Sequence, residues 1–312
     1  MRALITGATG FIGRRLLARI SEPVVLTRDP ARARGALARA TLFPWDPLAG
    51  PPPAAAFRDV QAVFHLAGEP VAQGRWSTSK KERIRASREV GTSNLVKTLA
   101  ELAVRPRVLV SASAIGFYGA RGDEPLDETS APGHDFLAVV CRSWESSSAA
   151  ATPLGVRVVN PRIGIVLGRG GGALAKMLTP FKLGVGGPLG NGRQWMSWIH
   201  IDDLVGLLLH AAEQEEISGP LNAVAPEAVT NREFTRLLGR ALHRPAFMPM
   251  PGFMLKLAVG EFGGLLLDSQ RVLPNVAQRT GYVFRYPELA GALDDILDAT
   301  SEPPRPAAAN VR

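Results

Sequence analysis

The chain has 312 residues, 46% of them hydrophobic, and a formal net charge of +8. This length allows one large α/β domain with a smaller second one. The single cysteine, Cys141, excludes an internal disulfide and a cysteine-cluster metal site, and the five histidines lack zinc-binding spacing, so we expect no metal. Because charges, Gly and Pro interrupt the apolar stretches and no signal peptide precedes the first strand, we expect a cytoplasmic protein that does not bind a membrane.

The excess of positive charge comes largely from arginines spread along the chain. Such a charge is typical of proteins that bind anionic small molecules, a phosphorylated cofactor among them, although a solvated arginine-rich surface explains it equally well. No basic–aromatic module or recognition motif accompanies the arginines, so the sequence argues against a nucleic-acid partner.

Taken in chain order, apolar runs of strand length alternate with segments of helical apolar spacing. Strands are predicted at residues 3–6, 24–27, 62–66, 107–111 and 156–162, and helices at 11–20, 80–103 and 136–149. This alternation predicts an α/β fold with a Rossmann-like, doubly wound parallel sheet.

The pattern changes beyond residue 165, where the chain becomes rich in Gly and Pro. We assign residues 1–165 to a Rossmann domain, to which a segment at about 198–212 returns. Residues 166–197 and 213–300 are predicted to form a smaller C-terminal substrate lobe, with helices near 173–181 and 229–242. The proline-rich residues 301–312 are predicted to be a disordered tail.

The turn after the first strand contains three glycines and is followed directly by helical spacing. Gly7 permits a tight turn, Gly10 lets the backbone approach a pyrophosphate, and Gly13 allows the helix to pack closely on the strand. A diphosphate would then lie at the N-terminus of the helix. The cofactor-binding residues predicted in this segment are Gly7, Thr9, Gly10, Phe11, Ile12 and Gly13.

The second strand ends in Thr27 and Arg28, and Arg32 follows one turn later. An acidic residue at this point would bind the adenosine ribose hydroxyls, whereas arginine suits a 2′-phosphate. The sequence therefore predicts NADP(H) in preference to NAD(H), with Arg28 at the phosphate. Asp29 could still reach the ribose, and a pair of exposed loop arginines is the other interpretation.

Motifs from the whole chain occur in the order found in a known superfamily. They are the glycine turn at 7–13, His65-Leu66-Ala67-Gly68, Ser111-Ala112-Ser113 with Phe117-Tyr118-Gly119, and Trp198-Ile199-His200-Ile201-Asp202-Asp203. They resemble the extended short-chain dehydrogenase/reductase superfamily, of the nucleoside-diphosphate-sugar epimerase type. Segments 113–119, 136–145, 161–168 and 270–274 resemble an epimerase-like subfamily with a distinctive C-terminal domain.

This resemblance implies that NADP(H) and a substrate meet between the carboxyl edge of the sheet and the C-terminal lobe. Ser113 matches the family's catalytic Ser/Thr, which polarises a carbonyl or hydroxyl group. Arg162 and Arg193 are predicted to bind an anionic group of the substrate. The further cofactor contacts that the resemblance implies are Leu66, Ala67 and Gly68.

The helix after Ser113 departs from the superfamily, whose members carry a Tyr there and a Lys four residues later. With Glu145 as the family's downstream acid, Leu137 and Cys141 occupy those two positions. A register shifted by one residue gives Phe136 and Val140 instead. Neither register supplies the Tyr/Lys pair.

Tyr118 lies just past the predicted strand end and is the predicted replacement, because an activated phenol can donate a proton. A ring that only packs the turn is the alternative. Cys141 lies in an apolar run and is interpreted as a buried, inert thiol. The catalytic residues predicted from the sequence are therefore Ser113 and Tyr118.

The sequence thus predicts an NADP(H)-binding, epimerase-like oxidoreductase with a non-standard active site. Its partner is predicted to be an unidentified small molecule, anionic or nucleotide-linked. Two alternatives stay open: a nucleotide-sugar epimerase with rearranged acid and base residues, and a non-catalytic NADP(H)-binding sensor or scaffold. A homodimer is also left open.

Overall fold

The computed structural model describes residues 1–35 and 37–298. Its strands, numbered in chain order, are β1 Arg2–Thr6, β2 Glu22–Thr27, β3 Thr41–Pro44, β4 Ala62–His65, β5 Val108–Ser111, β6 Ser113–Ala114, β7 Pro125–Leu126, β8 Arg157–Ile163, β9 Ile165–Leu167, β10 Trp195–Met196, β11 Trp198–His200, β12 Gly219–Ala223, β13 Val229–Thr230 and β14 Arg271–Val272. Its α-helices are α1 Phe11–Leu17, α2 Pro30–Ala33, α3 Thr78–Glu101, α4 Phe136–Ala149, α5 Gly172–Lys182, α6 Ile201–Glu213, α7 Asn231–Ala241, α8 Gly252–Val259, α9 Phe262–Leu265, α10 Asn275–Arg279 and α11 Leu289–Leu297.

The central sheet is parallel, with strand order β12-β8-β5-β4-β1-β2-β3 and with β6 paired to the carboxyl end of β8. The chain runs outward from β1 to β2 and β3, then crosses to β4 and continues on the other side. Ligands of such sheets bind beside this switch point, at the carboxyl ends of the strands. The predicted Rossmann-like α/β fold is confirmed.

The two edge strands, β3 and β12, are absent from the strands that the sequence predicts. Both contain a proline, Pro44 in β3 and Pro220 in β12, which is tolerated at a sheet edge but weakens the sequence signal of a strand. β12 pairs with β8 from Gly219 to Ala223, so this segment, predicted to lie in the C-terminal lobe, completes the main sheet.

Alternating side chains of the central strands supply two cores, one on each face of the sheet. Ile5 and Phe64 pack with residues of α1 and α6 on one face, whereas Leu4 and Val63 pack with residues of α3 on the other. The segment at about 198–212 therefore adds a covering helix, α6, to the sheet.

A third core lies among α5, α7 and α11, around the buried Trp198 and Phe234. The helix predicted at 173–181 is α5, and the one predicted at 229–242 is α7, whose first two predicted residues instead form β13 and pair with β10. The tail predicted at 301–312 lies outside the described residues. Among the helices of the described ranges, none has the length and apolar character that crossing a bilayer requires.

Candidate functional site

The glycine turn joins β1 to α1 in a conformation that depends on its glycines. Gly7 has a φ of +71°, and a Cβ there would lie 2.9 Å from the backbone carbonyl carbon of Leu66. A Cβ on Gly13 would collide with the carbonyl oxygen of Gly7. At Gly10 a Cβ would meet the Gly7 carbonyl oxygen at 3.2 Å, and within the described residues no other atom stands within 4 Å of it. The turn therefore presents bare backbone to the space above the sheet.

That space is a groove of about 380 Å³ at the carboxyl ends of β1, β2 and β4. The predicted cofactor residues that line it are Gly7, Thr9, Gly10, Arg28, Leu66, Ala67 and Gly68. The other three predicted contacts pack within the fold, and their role at a cofactor stays a prediction. The Phe11 ring lies against the glycines at 168–172, Ile12 packs on the main core, and Gly13 packs on the turn itself.

Arg28 and Asp29 have different roles at the end of β2. Asp29 caps α2, because its carboxylate accepts a hydrogen bond of 2.9 Å from the backbone N–H of Arg32. Arg28 is exposed and lines the groove. Two side chains were candidates for binding the ribose end of a dinucleotide. Asp29 is engaged as a helix cap, whereas the Arg28 guanidinium is available to a ligand.

His65 ties β1, β4 and α3 together below the groove. Its Nδ1 lies 2.8 Å from the Thr6 hydroxyl and its Nε2 lies 3.0 Å from the Thr92 hydroxyl. The Thr6 hydroxyl also accepts the backbone N–H groups of Leu66 and Ala67. Burial lowers the pKa of His65 to about 4, so the ring is neutral and holds the strand ends in place.

A second cavity, of about 340 Å³, lies between the sheet edge and the C-terminal lobe, and we call it the central cavity. Leu137 and Cys141 of α4 line it, at the positions where the superfamily carries Tyr and Lys. Val140 of the shifted register also lines it, whereas the Phe136 ring packs edge-on against Trp76 with 5.3 Å between centroids. Neither register therefore brings a Tyr/Lys pair to this wall.

The Cys141 side chain is a thiol rather than a thiolate. Burial raises its pKa to about 11, against an opposing effect of Arg88. Arg88 lines the same cavity, and its guanidinium lies over the Trp144 ring, 4.8 Å from the centroid. Its Nη1 donates to the backbone carbonyls of Glu69 and Ile84.

Ser113 belongs to a buried polar network below the central cavity. Its hydroxyl donates to Glu145 Oε1 over 2.7 Å. Arg162 holds the same carboxylate with two bonds of 2.9 Å, from Nε to Oε1 and from Nη2 to Oε2. The guanidinium also stacks on Phe117, 3.4 Å from the ring centroid. Glu145, Arg162 and Ser113 thus satisfy one another within the fold.

The predicted role of Tyr118 as a proton donor conflicts with this geometry. Its side chain is 0% exposed, and its hydroxyl accepts from Arg162 Nη1 at 2.9 Å and donates toward Asn222 Oδ1 at 2.6 Å. Burial raises the pKa of Tyr118 to about 12, although Arg162 opposes the shift. The phenol is a neutral member of the buried network.

The two arginines predicted to bind the substrate do not meet. Arg162 is 4% exposed and is neutralised by Glu145, so its charge is not available to a ligand. Arg193 is exposed and lines a separate cavity on the C-terminal lobe. The structure therefore does not bring the two predicted arginines together, and the Glu145 carboxylate already pairs with Arg162.

Two groups of the central cavity are missing from the residues that the sequence singled out. Trp144 is buried, and within the described residues its indole N–H has no hydrogen-bond partner. Asp268 brings a carboxylate from the C-terminal lobe, and burial, reinforced by Asp135, raises its pKa. Trp144 stands one helical turn after Cys141, which could have indicated its position, whereas no local pattern marks Asp268. In the part of the chain that the structure describes, His, Cys, Asp and Glu nowhere form a group of three that could hold a metal ion.

Comparisons with known proteins agree with this architecture. The model of the NAD dependent epimerase/dehydratase family matches residues 3–223, and that of a domain of unknown function (DUF1731) matches residues 250–296. The chain is 41% identical over 309 residues to the epimerase family protein SDR39U1 homolog, chloroplastic, of Arabidopsis thaliana. The alignment covers 95% of this chain and 87% of the relative.

Solved structures extend the likeness. The crystal structure of human epimerase family protein SDR39U1 (isoform 2) with NADPH matches with a TM-score of 0.86 and 35% identity, over 96% of this chain and 100% of that one. UDP-glucuronic acid 4-epimerase from Bacillus cereus, in complex with UDP-glucuronic acid and NAD, shares the fold with a TM-score of 0.75 at 17% identity, over 96% and 98% of the two chains. The chain therefore belongs to the NAD dependent epimerase/dehydratase family, within the extended short-chain dehydrogenases/reductases, as an NAD(P)-binding protein that carries the DUF1731 domain at its C-terminal end.

Proposed function

We propose that this protein is an NADP(H)-dependent oxidoreductase that reduces a carbonyl group, or oxidises the corresponding alcohol, in a small molecule with an apolar body. The observation that carries the proposal is the composition of the central cavity. It combines the α4 positions of the family's catalytic pair with the Arg88 guanidinium and a carboxyl group of raised pKa on Asp268.

The groove fits a phosphorylated dinucleotide, because its floor at Gly10 is bare backbone and a side chain would enter it. Gly7, Thr9 and Gly10 would hold the diphosphate, and Leu66, Ala67 and Gly68 would hold the adenosine side. A preference for NADP(H) is supported by Arg28 in the groove, by Asp29 being engaged as a helix cap, and by the NADPH in the human relative's structure. When bound, NADPH supplies a hydride to a carbonyl carbon.

Asp268 is the residue that we assign as proton donor to the carbonyl oxygen. Within the described residues its carboxyl group has no hydrogen-bond partner, so its acid form is free to donate to a ligand. Asp135, the other carboxylate of the cavity, accepts a bond of 2.9 Å from the backbone N–H of Ala138 and caps α4. Because burial and the nearby Asp135 both disfavour ionisation, the pKa of Asp268 is raised and the acid form persists to a higher pH than usual.

The cavity also restricts the substrate. Its wall is mostly apolar, with Val140, Met177 and Leu266 among the lining residues. One charged donor interrupts that wall: the Arg88 guanidinium, which has carbonyl partners and no hydrogen-bonded carboxylate among the described residues. A cation without a paired carboxylate in a partly desolvated wall favours an oxygen-bearing, anionic group on an otherwise apolar molecule. Several points stay predictions: a small-molecule partner, the absence of nucleic-acid and membrane partners, the possibility of a homodimer, and the cytoplasmic location.

A substrate screen with one pair of variants tests the proposal. NADPH oxidation is followed with apolar ketones, aldehydes and 2-oxo acids, and separately with nucleotide sugars. We expect turnover with the apolar carbonyls, and Asp268→Asn should lower it by about 10²–10⁴-fold while NADPH affinity is unchanged. Asp294→Asn, an exposed carboxylate on α11, is the matched control and should leave turnover unchanged.

The pH profile adds a second readout. Because the acid form of Asp268 is required, the rate should fall as pH rises through its raised pKa, and Asp268→Asn should lose that limb. Turnover confined to nucleotide sugars would favour the rearranged epimerase instead. NADPH binding with no turnover on any substrate would favour the sensor or scaffold.

A further inference from the structure

A cluster of positive charge lines an open cavity of about 820 Å³ on the C-terminal lobe, and we call it the arginine pocket. Its charged residues come from three separate segments: the turn before β10, helix α7 and the loop after α7. The arginines that line it are Arg193, Arg232, Arg236, Arg240 and Arg244. Within the described part of the chain, it shares no lining residue with the cofactor groove or the central cavity.

The backbone brings these segments together through close contacts. Arg232, Arg236 and Arg240 recur every four residues on α7 and therefore share one helical face. The loop after α7 packs tightly on the helix because residue 239 is glycine: a Cβ there would lie 2.6 Å from the Cβ of Ala246. The same glycine's carbonyl accepts the backbone N–H of Arg244 at 2.9 Å.

The turn that carries Arg193 is tied to the start of α7. The backbone N–H of Arg232 donates to the carbonyl of Gly192 over 2.8 Å, and the Arg232 guanidinium donates to the carbonyl of Asn191 over 3.2 Å. The Asn191 side chain in turn accepts the backbone N–H of Arg193 at 2.9 Å. Two elements distant in sequence thus hold their arginines at one cavity.

The positive charge of the arginine pocket is poorly balanced by acids. Arg236 pairs with Glu233 over 2.6 Å, on the same helix. Among the described residues, Arg193, Arg240 and Arg244 have no carboxylate within ion-pair distance, and no acid lines the cavity. Like charges four residues apart on a helix repel one another mildly, and a bound anion would relieve that repulsion. Phe247 lines the same cavity and is 75% exposed, offering a flat apolar face beside the charges.

We propose that the arginine pocket binds the polyphosphate group of a nucleotide, with the base stacked on Phe247. Several guanidinium groups around one cavity match an anion that carries several charges on adjacent oxygens, rather than a single carboxylate. The exposed Phe247 ring would stack on a planar base attached to that anion. This site is independent of the NADP(H) groove and of the reaction in the central cavity.

Calorimetric titration of NADPH-saturated protein tests this proposal, because saturation blocks nucleotide entry into the cofactor groove. The probes are ATP, ADP, AMP, tripolyphosphate and adenosine. We expect saturable binding in the order ATP, ADP, AMP, weaker binding of tripolyphosphate than of ATP, and no binding of adenosine. Arg240→Ala and Arg244→Ala should each weaken ATP binding roughly tenfold, because each removes a charge-assisted contact.

Two variants serve as comparisons. Phe247→Ala should remove the advantage of ATP over tripolyphosphate, and Arg279→Ala, an exposed arginine on α10, should change nothing. The proposal is overturned if no probe binds saturably, or if ATP binding is insensitive to Arg240→Ala and Arg244→Ala. It is also overturned if a single-stranded oligonucleotide binds more tightly than ATP, since a chain of phosphates would then be the ligand.

Discussion

Replacement of Tyr118 by Phe separates a structural from a catalytic role for this phenol. In the structure its hydroxyl accepts from the Arg162 guanidinium at 2.9 Å and lies 2.6 Å from Asn222 Oδ1 and 2.9 Å from the Asp127 carbonyl. Phe keeps the ring, and with it the edge-on contact to Phe117, whose centroid is 5.4 Å away. The change therefore removes hydrogen bonds and little else.

The magnitude follows from those contacts. One bond comes from a charged donor, and its loss costs about 1.5–3 kcal/mol, while the bond to the neutral Asn222 contributes about 1 kcal/mol. Asn222 is buried, and its side-chain nitrogen still donates to the Leu273 carbonyl, so it stays in place with one acceptor unsatisfied. We expect Tyr118→Phe to lower the free energy of unfolding by about 2.5–4 kcal/mol.

Urea denaturation measures the change in stability, and titration with NADPH measures cofactor affinity, which should not change. The control is Tyr282→Phe, whose hydroxyl donates to the backbone carbonyl of Asp203 at 2.8 Å and lies at the longer distance of 3.4 Å from Asp203 Oδ1. Loss of these contacts should cost about 1–2 kcal/mol, less than the loss at Tyr118. If Tyr118→Phe leaves stability within about 0.5 kcal/mol of the parent but abolishes turnover, the phenol is a proton donor and the structural interpretation is refuted.

Three further substitutions address the groove and the cavity. Arg28→Ala should weaken NADP(H) binding by about 1–3 kcal/mol and NAD(H) binding by less, measured by titration with both cofactors; equal losses would contradict a 2′-phosphate contact. Gly10→Val should abolish NADPH binding with little change in melting temperature, because its side chain enters the groove rather than the core. Cys141→Ser should leave turnover largely intact while destabilising the fold by about 1–3 kcal/mol, since it places a hydroxyl in an apolar wall; loss of turnover would make the thiol a participant.

The sequence predicts those strands and turns whose own residues carry a local pattern. β1, β4 and β5 are buried and mostly apolar runs, and the glycine turn needs its residue types for reasons that act within a few positions. The edge strands β3 and β12 are recruited by pairing with neighbours distant in the chain. Their own residues, which include Pro44 and Pro220, carry little strand signal.

In the candidate site, too, the sequence predicts where side chains lie but not the long-range contacts that they make. Sequence reasoning brings Ser113, Tyr118 and Arg162 to the carboxyl ends of the strands, where the structure has them. Which of them is available to a ligand depends on Glu145, whose carboxylate reaches Ser113 and Arg162 from α4. Asp268 arrives from another lobe, and its raised pKa arises from a desolvated environment that no local pattern encodes.

The loss of the Tyr/Lys pair restricts where a proton donor can come from. A phenol serves as an acid or base near neutral pH when a neighbouring cation lowers its pKa, and the α4 wall has Leu137 and Cys141 in place of both groups. A carboxyl group approaches that range from the opposite direction, and burial and the nearby Asp135 raise the pKa of Asp268 in this sense. The proposed mechanism therefore makes the DUF1731 domain a contributor to the chemistry. It requires that Asp268→Asn, a change within that domain, leave NADPH binding in the groove intact but impair proton transfer in the central cavity.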